Sequence, residues 1–126
     1  MSQRYSKVIM TITAVMMLAA GILITFLSNE IVAYLNLAPN SFLLIQIIGA
    51  LYFAFGMLNW FVKANLIGGI YGRPISVANF THFSMVALSL FKSGFYENIM
   101  QITITTVYCI LAFLFGYIFM THPKVN

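Results

Sequence analysis

Four apolar stretches of membrane length follow one another along the chain. They cover residues 8–27, 42–62, 75–91 and 99–120, and none of them contains Asp, Glu, Lys or Arg. A bilayer core about 30 Å thick needs roughly 20 helical residues to cross it. Because unsatisfied backbone amides are costly in hydrocarbon, each stretch is predicted to be a helix that forms its own hydrogen bonds. The pattern therefore predicts an all-α, polytopic membrane protein with four transmembrane helices.

The connections predict how these spans are arranged. After the first span, Ile31, Val32, Leu35 and Leu37 recur at a helical spacing, which is typical of a short amphipathic helix in the membrane interface. The other connections are brief, and brief connections make sequential helices pack antiparallel. We therefore expect the whole chain, 1–126, to be a single transmembrane domain, an up-down-up-down bundle with a short interfacial helix after helix 1.

Small residues indicate where two of the spans pack closely. Gly49 and Gly56 lie seven residues apart in the second span and so share one helix face. The first span carries a comparable group in Ala19, Ala20 and Gly21. Since small residues let transmembrane backbones approach each other, these positions are predicted to form packing seams.

The charged residues set the expected orientation. Lys and Arg near span ends stay on the cytoplasmic side of a membrane. Five of the six basic residues fall on one side if both termini are cytoplasmic, which places the protein in the inner (plasma) membrane with both ends inside. The five are Arg4, Lys7, Lys63, Arg73 and Lys124; the sixth is Lys92.

Two other interpretations of the basic residues are less favoured. Arg4 and Lys7 before an apolar run resemble a secretory signal, but the run of 8–27 exceeds the roughly 7–15 residues of a signal core and lacks a small-x-small cleavage site. A net charge of +4 is compatible with nucleic acid, yet the basic residues form no stripe on one element. A retained first helix and no nucleic-acid partner are expected.

The composition offers little for catalysis. The chain is 62% hydrophobic and 6% charged, it has no Asp, and Cys109 is its single cysteine. Neither a Ser–His–Asp set nor an intramolecular disulfide is therefore available. One mid-span histidine without an intramembrane carboxylate makes a metal site unexpected, because zinc takes three or four ligands. No cofactor is indicated, and an enzyme is the less favoured hypothesis.

Polar residues do occur inside the predicted membrane region. Asn79 and His82 lie three apart in the third span, with His82 on the order of 10 Å from its inner end. Asn59 lies near the inner end of the second span, and Arg73 belongs to the connection between these two spans. We expect these four residues to converge near the cytoplasmic mouth as a candidate ligand-binding site. The alternative is that Asn79 and His82 only form helix–helix hydrogen bonds.

The connection before the third span has its own alternatives. Gly68, Gly69 and Gly72 precede or adjoin Arg73. Such a segment offers backbone amides and a bidentate cation to an anion such as a lipid phosphate. It also suits a plain tight turn whose arginine follows the charge rule for cytoplasmic loops.

The order of features resembles one known group. The segment NEIVAYLNLAP, 29–39, is followed by the Gly- and Ala-containing stretch IGALYFAFG, 48–56. In this the chain is similar to the DoxX-like superfamily of small four-helix bacterial membrane proteins. The resemblance covers about 29–60, implies a role beside respiratory or redox enzymes, and carries over no catalytic residue.

Three functional hypotheses follow. The preferred one is a non-catalytic component of the inner membrane, which acts either as an accessory protein or by binding a lipid or small molecule. Its expected partners are the lipid bilayer and another protein or a second copy of the chain. The first alternative is a DoxX-like, oxidoreductase-associated subunit with a quinone-type site, where His82 and either Tyr52 or Tyr108 hydrogen-bond to the ring. The second alternative is a small channel or transporter formed by oligomerisation.

The charge distribution makes the orientation testable. A cytoplasmic reporter fused after Lys124 should be active and a periplasmic reporter at the same position silent, because the basic flanks hold both ends inside. A fusion within the connection that contains Lys92 should behave in the opposite way. Reversed activities at these two positions would overturn the orientation.

Overall fold

The computed structural model describes residues 3–65 and 72–121. The regular structure of these ranges is helical, which confirms the all-α class. Outside the described residues lie Gly68, Gly69 and Lys124. The elements in chain order are α1 Gln3–Phe26, α2 Ser28–Tyr34, a 3-10 turn Pro39–Ser41, α3 Phe42–Val62, α4 Gly72–Ser93 and α5 Ile99–Met120.

In the described ranges, four helices (α1, α3, α4 and α5) are long and apolar enough to cross a membrane. Helices α3 and α5 coincide with the predicted spans 42–62 and 99–120. Helix α1 begins before its predicted span, and α4 extends beyond its span at both ends. The reason is that helical hydrogen bonding continues into polar flanking residues, which a search for apolar runs leaves out.

The outward faces of these helices are apolar. Each of the four helices has large apolar side chains that are more than half exposed. Soluble monomers rarely expose apolar patches of this extent. In a bilayer the same side chains meet lipid, so their exposure agrees with a membrane-embedded protein. Examples are Ile12 at 53%, Leu44 at 60%, Phe61 at 69%, Leu88 at 69% and Phe113 at 80%.

The contacts divide the chain into two compact units. One is Lys7–Lys63, called here the α1–α3 unit, and the other is Met1–Ser6 with Ala64–Asn126, called the α4–α5 unit. Each is described by itself, and the single domain over 1–126 stays a prediction.

Close backbone contact defines the α1–α3 unit. A Cβ atom added at Gly21 would lie 2.6 Å from the backbone nitrogen of Phe53, and one at Gly56 would lie 2.8 Å from that of Leu18. Gly49 faces Gly21 and Thr25. The pairing order shows that the two helices run antiparallel, and it confirms the predicted seam through Gly49 and Gly56. The lack of side chains lets the backbones approach closely, which is how helices gain van der Waals contact in lipid.

Helix α2 joins these two long helices and confirms the predicted short helix after helix 1. It ends in a Schellman motif, because Asn36 has a φ of 51° and the Leu37 amide donates to the Val32 carbonyl at 3.0 Å. The Gln46 amide donates to the Ser28 hydroxyl at 3.4 Å, which ties α2 to α3. Its location in a membrane interface stays a prediction.

The α4–α5 unit is a helical hairpin with a short connection. Helix α4 ends at Ser93 and is followed by Gly94, whose φ of 73° suits glycine, and the Phe95 amide donates to the Leu90 carbonyl at 3.1 Å. Helix α5 begins after Asn98, whose side chain accepts from the Gln101 amide at 3.0 Å. A defined stop and a defined start within this connection set the antiparallel pairing of the two helices.

Aromatic rings fill the interface between α4 and α5. Phe83 is 2% exposed and lies at the centre, with its ring centroid 5.7 Å from Phe115 and 5.8 Å from Tyr108. Such offset and edge contacts add about 0.5–1.5 kcal/mol per pair beyond area burial. Small residues therefore hold the α1–α3 unit together, whereas stacked rings hold the α4–α5 unit.

The glycine seam yields a stability prediction. Gly21→Ala places a methyl group against the backbone of α3, which cannot rotate away, so we expect the melting temperature to fall by an amount that reflects about 1–3 kcal/mol of overpacking. Gly116→Ala is the matched control, because the atoms nearest to its new methyl group belong to the Phe80 side chain, at 3.0 Å, and not to a backbone. Thermal unfolding in detergent measures both, and equal melting temperatures for Gly21→Ala and wild type would contradict the seam.

Candidate functional site

Polar residues recur at every third position of α4 from its first turn. Arg73 is exposed, whereas Ser76 is 1% exposed and Asn79 is 0% exposed. The three are spaced by three residues, and the Ser76 hydroxyl donates to the Arg73 carbonyl at 2.8 Å. Together with His82 they form what is called here the α4 polar stripe. Three of the four predicted site residues, Arg73, Asn79 and His82, therefore belong to one helix.

His82 lies at the end of this stripe farthest from Arg73, among aromatic rings. It is half-buried, its ring meets Phe83 edge-on at 5.2 Å between centroids, and its centroid lies 6.2 Å from that of Tyr108. The imidazole is thus placed against α5 by the same aromatic interface that joins the two helices. Of the two tyrosines considered for a quinone-type site, Tyr108 shares a unit with His82, and Tyr52 belongs to α3.

Asn59 belongs to the α1–α3 unit. Its side chain is fully buried, its amide donates to the Phe55 carbonyl at 2.9 Å, and the same nitrogen lies 4.0 Å from the sulfur of Met17. This amide is therefore used locally, by its own helix and by α1. The convergence of Asn59 with Arg73, Asn79 and His82 stays a prediction, because Asn59 and the other three lie in different units.

Ser76 and Thr13 are among the buried polar residues that were not singled out from the sequence. Ser76 joins the α4 polar stripe, and Thr13 in α1 is 0% exposed with a hydroxyl that has no hydrogen-bond partner within the described residues. A serine or threonine in an apolar helix is ordinarily assigned to a bond with its own backbone. For Thr13 the sequence carries no distinguishing signal, because its i, i+4 neighbour Met17 faces Asn59 only in the folded α1–α3 unit.

A groove runs along the α4–α5 pair. It holds two cavities, of about 310 Å³ and about 440 Å³, which share Phe80, Ala112 and Phe113. The larger one is called here the Arg73-end cavity, because its remaining lining comes from the C-terminal part of α5, which pairs with the start of α4. The smaller one continues toward the other end of the hairpin. The remaining lining is Gly116, Tyr117, Phe119 and Met120 in the larger cavity, and Ser84, Ala87, Leu88, Phe91 and Cys109 in the smaller one.

A chain of stacked groups connects Arg73 with this groove. The Arg73 guanidinium carbon lies 5.8 Å from the centroid of the Phe119 ring, within cation–π range. The Phe119 ring is nearly parallel to that of Phe80, at 13° and 6.4 Å between centroids. Gly116 leaves room beside the Phe80 ring. The exposed Arg73 guanidinium thus lies within cation–π range of Phe119, one of the residues that line the apolar groove.

The groove was not predicted as a site. Cys109, Ala112 and Gly116 repeat at a helical spacing, which is typical of a packing stripe, and the phenylalanines of a membrane helix are typical of lipid contact. Neither pattern tells which small residues lie beside large ones on the neighbouring helix. As to metals, the residues in 3–65 and 72–121 bring no three His, Cys, Asp or Glu side chains together.

The comparisons with known proteins add no identification. No protein-family model, no curated protein and no solved structure matches the chain. The DoxX-like resemblance therefore stays a prediction, and function has to be inferred from the groove and the stripe themselves.

The position of His82 leads to a prediction about its role. We expect His82→Ala to lower the melting temperature, because it removes a ring packed against Phe83 and Tyr108, and His82→Phe to restore much of the loss. Thermal unfolding of the detergent-purified protein gives both values. If His82→Ala instead melts like wild type but no longer retains a small molecule that wild type co-purifies with, then His82 belongs to a ligand site.

Proposed function

We propose that this small integral membrane protein is a non-catalytic component that binds a lipid or lipid-like small molecule in the α4–α5 groove. The observation that carries the proposal is the Arg73-end cavity, an apolar recess of about 440 Å³ on a membrane helix pair with a cation at its end. Its setting in the inner membrane, with a protein partner or second copy, belongs to the same proposal.

The lining supports an apolar ligand. Sites for small molecules are mostly apolar recesses of roughly 300–1,000 Å³ with a few polar groups that fix orientation. Here the lining combines three phenylalanines with the small residues Ala112 and Gly116, together with Tyr117 and Met120. Phe113 is 80% exposed on the rim, so the recess is open to the surroundings of the helix pair. An extended acyl chain suits a long, open and apolar recess of this kind.

A quinone-type ligand is the second candidate, and the His82–Tyr108 pair favours it. The two rings lie 6.2 Å apart within one unit, and imidazole and phenol are the groups that hydrogen-bond to the oxygens of a quinone. This is also the direction in which the DoxX-like resemblance points. Extraction of co-purified small molecules separates the candidates, because a quinone absorbs in the ultraviolet and should be lost from His82→Ala, whereas a phospholipid should be retained.

Filling the groove tests the proposal. Ala112 lines both cavities, so Ala112→Leu should occupy space that a ligand needs. With a phosphatidylcholine that carries a photoactivatable diazirine on its acyl chain, we expect wild type to be labelled on α5 and Ala112→Leu to lose most of that labelling. Peptide mapping by mass spectrometry locates the adducts.

The matched control is the same substitution at an exposed alanine outside the groove. Ala54→Leu in α3 adds the same volume where neither cavity lies, and it should leave the labelling of α5 unchanged. Labelling spread evenly over the exposed faces of all four long helices, in wild type and both variants, would show an ordinary annular lipid contact and overturn the proposal.

A further inference from the structure

We infer that the ligand of the groove is an anionic phospholipid of the leaflet on the Arg73 side, with one acyl chain in the Arg73-end cavity and its phosphate on the Arg73 guanidinium. This inference rests on the proposed function and adds to it the headgroup charge, the leaflet and the residue that selects them. It is argued from the contacts within the α4–α5 unit alone.

The Arg73 guanidinium lies within cation–π range of the cavity wall. Phe119 lines the Arg73-end cavity, and Arg73 lies over the same ring at 5.8 Å. The Phe119 ring in turn stacks on Phe80 of α4, which lines the same cavity. A molecule whose chain lies along these rings therefore has its polar end beside the guanidinium.

The depth of the cavity in the membrane is compatible with a single lipid that also reaches Arg73. Phe80 lies seven residues after Arg73, which corresponds to about 10 Å along the helix axis at 1.5 Å per residue. One leaflet occupies half of a hydrocarbon core of about 30 Å. The cavity around Phe80 therefore lies within the leaflet whose headgroups are level with Arg73. A single phospholipid can reach both the cavity and the cation.

The charged residues of the α4–α5 pair favour an anionic ligand at the Arg73 end. The α4–α5 pair carries one acidic side chain, Glu97, and it lies in the connection at the opposite end of the hairpin from Arg73. Lys92, the basic residue at that opposite end, is five residues from this acid, whereas no acidic residue competes for Arg73 on its own helix pair. An anion is thus the complement that this end lacks.

The charge at the Arg73 end also distinguishes among the molecules that could occupy the groove. A second copy of the chain would bring a net charge of +4 to a cationic end of the groove, which is unfavourable. A zwitterionic lipid offers a phosphate but also its own cation. Arginine binds phosphate through two parallel N–H groups, and the Arg73 guanidinium lies beside the ring of a residue that lines the cavity. The site therefore favours a lipid with a net negative headgroup.

The test is lipid retention by the intact protein. Wild type is equilibrated in detergent with an equimolar mixture of phosphatidylglycerol and phosphatidylcholine of the same acyl chains, and native mass spectrometry counts the lipids that remain bound. We expect wild type to retain phosphatidylglycerol in preference. Arg73→Gln should reduce the ratio of phosphatidylglycerol to phosphatidylcholine about fivefold to tenfold, and Arg73→Lys should fall between the two.

Lys63→Gln is the matched control. It removes a basic residue from the same connection and the same predicted side of the membrane, but Lys63 lies over the Trp60 ring in the α1–α3 unit, and neither residue lines either cavity. The inference requires this variant to keep the wild-type lipid ratio. Equal losses in Lys63→Gln and Arg73→Gln would show a diffuse charge effect and would overturn it.

Further measurements separate this inference from the proposed function. If the α5 labelling persists but the lipid ratio is the same in wild type and Arg73→Gln, the groove binds lipid and the headgroup assignment is wrong. If neither lipid is retained and a dimer forms that Ala112→Leu disrupts, a second copy fills the groove and both are wrong. Glycerol 3-phosphate, which has the phosphate but no chain, should not displace the bound lipid; displacement would place the ligand on Arg73 alone and overturn the acyl-chain assignment.

Discussion

The structure depends on one constraint, which is that a chain in hydrocarbon has to satisfy its backbone hydrogen bonds internally. Water offers no alternative partners there, and each unsatisfied amide is costly. The helical form of the four long segments follows from this. The contacts between helices do not follow from it, since lipid is as apolar as the side chains, and the hydrophobic effect does not drive one apolar helix face against another. Fit between surfaces has to hold each pair together.

The two units achieve this fit in opposite ways. Along Gly21, Gly49 and Gly56 the α1–α3 unit omits side chains so that the backbones touch. The α4–α5 unit instead places Phe83 between the rings of Tyr108 and Phe115. Small side chains beside these large rings leave a groove, and the cavities of the α4–α5 pair are that groove.

The buried polar groups show how polarity is accommodated at this depth. The Asn59 amide bonds to a carbonyl of its own helix, and Ser76 does the same one turn into α4. Thr103 and Thr106 likewise donate to the carbonyls of Ile99 and Ile102 on their own helix. Arg73 differs, because its charge cannot be satisfied by a backbone carbonyl alone and is exposed at a helix end beside an aromatic ring. That difference is the reason to assign ligand recognition to Arg73 rather than to the buried amides.

The elements of this protein were accessible from its residues, because their formation is local. An apolar run without charge has to be helical in a membrane, and so Phe42–Val62 and Ile99–Met120 agree with the predicted spans to the residue. Small residues repeated seven apart mark a helix face, and so the seam through Gly49 and Gly56 was predicted. The groove and its link to Arg73 were decided only by tertiary structure. Phe80, Phe113 and Phe119 are the same residue type with the same apolarity, yet one is stacked between helices, one projects from the rim at 80% exposure, and one lies beneath a guanidinium. In a lipid environment the faces that meet lipid and the faces that meet protein have the same composition, so hydrophobic patterning locates the helices but does not tell which face of each one packs.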